Sequence, residues 1–199
     1  MRVTPVNEEN MAELPDHARI VIVGGGIVGA SVAYHLALRG ETDVLVLERN
    51  KFTSGTTWHA AGLVGQLRAT RNLTMLAKYT SELFGTLEAA TGQATGFYQR
   101  GSLGVARTEA RFEELKRQAA MARVFGLEVQ VITPADIAER VPLARTDDLV
   151  GGVFLPGDGQ TNPIDTTMAF VKGSRAKGLK LVEDVPVDEI IVKDGKAVG

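Results

Sequence analysis

The stretch from Ala18 to Glu48 constrains the fold more than any other part of the chain. Ile20-Val-Ile-Val23 is apolar and β-branched and reads as a strand buried on both faces. It leads straight into Gly24-Gly-Gly-Ile-Val-Gly29, which fits G-x-G-x-x-G. A helical pattern follows to Leu38 and stops at Gly40, and a second apolar run, Val44 to Leu47, ends in Glu48. Strand, glycine-rich turn, helix, strand and acid stand in the order of a dinucleotide-binding βαβ unit, which implies an α/β, Rossmann-like fold.

Each part has a physical task. Gly24 permits a tight turn out of the strand, and Gly26 removes the Cβ that would block backbone approach to a pyrophosphate. Gly29 lets the helix pack closely on the strands, helped by Ala30 and Ala33. The helix start offers unpaired N–H groups and a positive dipole end to phosphates. Glu48 can accept hydrogen bonds from a ribose diol, and its charge would repel a 2′-phosphate, which disfavours NADP.

Composition excludes several classes. The chain has 199 residues with a net charge of −2 and no basic run, which argues against nucleic acid or a membrane surface as partner. No apolar stretch approaches the ~20 residues of a membrane span. There is no cysteine, hence no disulfide, no thiolate nucleophile and no Cys-based metal site, and no metal is expected. Glu8, Glu9, Glu13 and Asp16 in residues 1–17 fit neither a signal peptide nor an acid-poor transit peptide. The expectation is a cytoplasmic protein with a flexible leader over 1–17, loosest in its first ten residues.

After Glu48 the pattern departs from a plain NAD-binding domain. Thr53-Ser-Gly-Thr-Thr-Trp-His-Ala-Ala-Gly62 packs small residues and hydroxyls around one Trp and one His, suited to lying flat against a bulky ligand. Leu73, Leu76, Thr80, Leu83, Phe84 and Leu87 predict a core-facing helix, with Lys78, Ser81 and Glu82 elsewhere on its wheel. Gly101 to Arg107 reads as a strand. Thr108 caps a helix ending at Gly126, and Val129 to Ile132 is a short strand. Thr133-Pro-Ala-Asp136 and Asn162-Pro-Ile-Asp165 are cap–Pro–acid helix starts, with the strand Gly151 to Leu155 between them. Leu179–Glu183 and Val187–Lys193 read as strands, and Asp194-Gly195 as a hairpin turn.

A return strand from Lys196 that stops so soon leaves an exposed edge, so the expectation is an N-terminal fragment of a longer protein, inactive alone. The corresponding division is a leader (1–17), a nucleotide-binding part (18–95), an inserted mixed or antiparallel sheet layer on the substrate side (96–160), and an incomplete second nucleotide-binding part (161–199).

Gly24 to Ala30, Leu47-Glu-Arg49 and Ser54-Gly-Thr-Thr-Trp-His-Ala-Ala-Gly-Leu63 together resemble the amino-acid-oxidase class of FAD-dependent oxidoreductases. The similarity is to the dimethylglycine and sarcosine dehydrogenase subgroup, and it extends through Glu88-Ala-Ala-Thr-Gly-Gln, Gly101-Ser-Leu, Pro156-Gly-Asp-Gly and Asn162-Pro163. The resemblance implies that His59 is bonded through a ring nitrogen to the 8α-methyl of FAD. It implies that Ile27, Val28, Glu48, Arg49 and the loop Gly55, Thr56, Thr57, Trp58, His59, Ala60, Ala61, Gly62 and Leu63 line the cofactor. Val187 would meet the adenine through its backbone. A neutral imidazole is nucleophilic, which suits His59; His17, in the leader, and His35, on the first helix, carry no such signature.

The resemblance further implies oxidation of an N-methyl amino acid by hydride transfer to flavin N5, yielding formaldehyde or passing carbon to tetrahydrofolate in a separate C-terminal portion. The residues identify neither a catalytic base nor an electron acceptor. Arg68 and Arg71 could face a substrate carboxylate, or be solvated helix-start charges. Three alternatives stand beside this reading: a flavin oxidase of another amino or hydroxy acid; a regulatory flavoprotein without turnover, since the pyruvate dehydrogenase phosphatase regulatory subunit resembles this family; and a plain NAD-binding domain.

Overall fold

The computed structural model describes residues 14–199. The expectation of loose first residues, with Glu8, Glu9 and Glu13, lies outside them. In chain order the elements begin with β1 (Ile20–Val23), α1 (Ile27–Leu38), β2 (Val44–Leu47), β3 (Leu63–Val64) and α2 (Arg71–Thr91). Then come β4 (Ser102–Ala106), α3 (Glu109–Val124), β5 (Gln130–Ile132), α4 (Pro134–Arg140), β6 (Gly151–Leu155) and β7 (Gly159–Gln160). The chain continues with α5 (Pro163–Ala176), β8 (Lys180–Val182), β9 (Val192–Lys193) and β10 (Lys196–Ala197). They form two compact units: residues up to Ala61 with Thr86–Gly96 and Asn162–Gly199, and Gly62–Gly85 with Phe97–Thr161. By packing, residues 62–85 go with the second unit.

In the first unit β1, β2 and β8 form a parallel sheet with β2 in the middle. This is the Rossmann-like α/β arrangement. All four residues of β2 are buried, because a central strand is covered on both faces. The expectation of the same for β1 fails: burial alternates along it, and Val21 and Val23 are exposed. β1 pairs only with β2 among the described strands, so it reads as a half-covered edge. α1 packs on α5 through small residues: Ala30, Ala33 and Ala37 are buried, as are Phe170 and Val171. A Cβ on Gly173 would run into the Tyr34 ring, so that glycine sets how closely the helices approach.

The second unit is built on the antiparallel order β4-β6-β5, with β3 and β7 as a separate pair. α3 lays Leu115, Ala119 and Ala122 onto Ala106 and Val153. Gly151 leaves room for the Phe112 ring, and Gly152 for the Gly104 carbonyl at 2.7 Å from any added Cβ.

Two other expectations are corrected. In α2 the buried positions are Thr74, Ser81, Phe84 and Leu87, while Leu73 and Leu76 are exposed. Phe84 and Leu87 keep the expected face, while toward the start of the helix Thr74 and Ser81 are covered in place of Leu73 and Leu76 and make polar bonds there. Thr74 Oγ1 accepts from the Arg68 N–H at 3.1 Å, and Ser81 Oγ donates to the Gly157 carbonyl at 3.2 Å. The strand expected over 187–193 shortens to β9, which pairs with β10 across Asp194 and Gly195, both at positive φ. Among the described residues no helix is long and apolar enough to cross a membrane.

Candidate functional site

The site in the first unit starts where β1 becomes α1. Gly24 takes φ +105°, a conformation that L side chains rarely adopt, and so turns the chain sharply out of the strand. An added Cβ on Gly29 would collide with the Gly24 carbonyl, so glycine there lets the helix seat on the turn. Gly26 is the N-cap and has no side chain to offer. The first intrahelical bond runs from the Ala30 N–H to the Gly26 carbonyl at 3.0 Å. By helix geometry the N–H groups of Val28 and Gly29 therefore point out of the helix end, toward the positive pole of its dipole. No acid lies in the first turn to neutralise it.

Glu48 sits beside this turn. Its carboxylate accepts from the Gly25 N–H at 2.7 Å and from the Asn50 N–H at 2.9 Å. Each carboxylate oxygen keeps a lone pair for another donor, such as a ribose hydroxyl. The segment after it is fixed by residues that sequence reasoning passed over. Phe52 is buried beneath Gly25, and its N–H donates to Glu183 at 2.7 Å. Lys51 bonds Asp184 at 2.6 Å and lies 3.5 Å from Glu183. The Asp184 hydrogen bond, outweighing a small loss of hydration, holds the Lys51 ammonium above its ordinary range. No local pattern announces Glu183 as a partner of Phe52, since 131 residues separate them.

Thr57–His59 forms one 3-10 turn, closed by the Ala60 N–H on the Thr57 carbonyl at 3.1 Å. Thr57 is buried, and its Oγ1 accepts from the Ile27 N–H at 3.0 Å. The Trp-His turn is thus bonded directly to the first residue of α1. Trp58 and His59 stack with ring centroids 3.8 Å apart, and both are exposed. Ser54, Gly55, Thr56, Ala60 and Ala61 are exposed too. The apolar matter of this loop is therefore not covered by the described residues, which leaves it open to a ligand.

The structure brings together Gly24, Gly26, Ile27, Val28, Gly29, Glu48, Arg49 and the Gly55–Ala61 loop in one unit. Val187 belongs to that unit and packs half-buried against Leu45, Leu47, Val182 and Val185. Gly62 and Leu63 open the second unit, where Leu63 pairs with Gln160. There Arg68 borders an apolar recess of about 390 Å³ with Leu63, Leu73, Leu76 and Phe84; Arg71 is outside it. His35 is turned onto its own helix, with Nδ1 2.7 Å from the Ser31 carbonyl.

A bare glycine turn, outward-pointing amides, a carboxylate at the end of β2 and an exposed aromatic turn fit a dinucleotide carrying a large planar ring. The sequence matches the family described as FAD dependent oxidoreductase (DAO) over residues 19–199. The chain belongs to this family. It is 42% identical to 4-methylaminobutanoate oxidase (formaldehyde-forming) of Paenarthrobacter nicotinovorans, over 94% of this chain and 23% of that protein. It is 40% identical to mitochondrial dimethylglycine dehydrogenase of Rattus norvegicus, over 89% of this chain and 21% of that protein. Among solved structures, L-proline dehydrogenase from P. horikoshii superposes with a TM-score of 0.85 at 30% identity, covering 91% of this chain and 48% of that one. The chain thus spans under a quarter of these two curated relatives.

Proposed function

We propose that the protein carrying this chain oxidises an N-methyl amino acid of the dimethylglycine or sarcosine type, with FAD bonded covalently through His59. The observation that carries this reading is the Thr57–Ile27 hydrogen bond of 3.0 Å, which ties the His59 turn to the nucleotide-binding helix. The two curated relatives, both named for methylated amino acids, support the substrate class.

The chain's residues divide the work. The amides of Val28 and Gly29 would take the diphosphate, Glu48 the ribose, and the backbone near Val187 the adenine. Arg49 and the exposed residues of the Gly55–Leu63 loop would hold the ring system, with Thr57 buried behind them. When bound, the flavin would supply two-electron redox chemistry. His59 is exposed and can reach a partner outside the chain's own fold. Formaldehyde release, or carbon transfer to tetrahydrofolate, would depend on portions beyond these residues.

The test uses the full-length protein. Wild type is expected to keep yellow flavin after acid precipitation and to carry the added mass of FAD, and His59→Ala to lose both. Flavin that survives acid in His59→Ala would overturn the covalent role. Anaerobic bleaching by dimethylglycine or sarcosine, and not by glycine, is expected if the substrate class is right.

A further inference from the structure

Thr57 does something that neither a bare helix end nor a plain cofactor loop requires. The Ile27 N–H is one of the first-turn donors that a helix leaves unpaired. It is met by a hydroxyl 30 positions further along the chain, at 3.0 Å. Glycine at position 26 leaves that hydroxyl room, because a Cβ there would stand 3.1 Å from Thr57 Oγ1 and press on it by a few tenths of an ångström. Thr57 is 7% exposed, whereas Thr56 and Trp58 on either side are exposed. Thr57 is therefore the buried residue of the turn, which also lies against α5. His59 lies two residues beyond it, in a single 3-10 turn and stacked on Trp58.

We propose that Thr57 is a positioning residue: its hydroxyl holds the His59-bearing turn on the N-terminus of α1, and so sets the imidazole's aim. This rests on the proposed attachment at His59. Attachment exchanges the imidazole N–H and one C–H of the 8α-methyl group for a C–N bond. The two protons and two electrons released go to dioxygen, giving hydrogen peroxide. Its rate depends on the orientation of the ring nitrogen, and a misplacement of about 1 Å can cost about 100-fold. FAD affinity before attachment rests chiefly on the amides of Val28 and Gly29, on Glu48 and on the exposed loop residues, to none of which the Thr57 hydroxyl is bonded.

The test follows attachment in full-length, flavin-free protein mixed with FAD, reading acid-stable flavin fluorescence against time and FAD concentration. Thr57→Val is expected to slow attachment at saturating FAD by about ten-fold or more. The dissociation constant before attachment should stay within about three-fold, and Thr57→Ser should restore the rate. Ile27→Pro removes the same bond from the donor side, and proline suits a first helical position. It is expected to slow attachment similarly, with the double variant no slower than either. A wild-type attachment rate in Thr57→Val, or in Ile27→Pro should the valine variant not fold, would overturn the proposal. So would a loss confined to FAD affinity. If His59→Ala itself retains acid-stable flavin, the attachment reading has failed; normal attachment in Thr57→Val with none in His59→Ala sinks only this inference.

Discussion

The N-termini of α1 and α5 are built oppositely, although the two helices pack on each other within one unit. Asn162 caps α5 with its own side chain, accepting from the Ile164 N–H at 3.0 Å and the Asp165 N–H at 3.3 Å, and Pro163 and Asp165 complete the start. In the other unit α4 is closed by a full capping box between Thr133 and Asp136. α1 begins with Gly26, has no side-chain cap and no acid in its first turn, and borrows a hydroxyl from Thr57. A self-capped end stabilises the fold and offers little to a ligand. The open end of α1 forgoes that stabilisation and keeps its amides for an anion.

The largest expected effect is at Gly29. Gly29→Ala drives a methyl into the Gly24 carbonyl and should destabilise by on the order of 3 kcal/mol, abolishing FAD binding with it. A urea midpoint equal to wild type would break the claim that α1 seats directly on the turn. Next is Gly26→Ala, whose methyl would meet Thr57 Oγ1 at 3.1 Å. Stability should change by about 1 kcal/mol or less, while FAD affinity falls about ten-fold. Parallel melts and FAD titrations read the two separately.

Asn162→Ala is the reciprocal case. It should cost about 1 kcal/mol of stability and leave the FAD dissociation constant unchanged; a weakened affinity would erase the distinction between the two helix starts. The smallest effect concerns pH. Hydrogen bonds from the Thr133 hydroxyl, and then its N–H, hold the Asp136 carboxyl below its usual range. A lowered carboxylate pKa means stability that is full above the ordinary value and is lost as pH falls through the lowered one. The stability gap between wild type and Asp136→Asn should therefore narrow on acidification below about pH 4. A gap that is constant with pH would contradict this.

Much of this was legible from short stretches of sequence. Gly40, Gly126 and Gly178 each end a helix at positive φ, as their positions after apolar-periodic runs predict. Thr108, Thr133 and Asn162 each cap the helix that follows. These signals work because a cap or stop involves only a few neighbouring residues. α2 departs from its pattern at Leu73 and Leu76 because periodicity says which residues are apolar, while the helix's partners decide which are covered. Thr74 and Ser81 are buried there because Arg68 and Gly157 need them. β1 was misread for a similar reason: four apolar residues cannot say whether one face or two will be covered.

The candidate site divides along the same line. The order strand, Gly24–Gly29, helix, Glu48 defined a nucleotide-binding unit by itself, because that geometry is set by contiguous backbone and by where side chains are missing. The Trp58–His59 pair was conspicuous by composition, and the family carried its meaning. Only the tertiary structure decided that Thr57 docks on Ile27, that Phe52 lies under Gly25 with its N–H donating to Glu183, and that Trp58 and His59 stay uncovered by the described chain. Those are bonds and contacts across tens of residues, formed when distant segments are packed against one sheet, and no local preference encodes them.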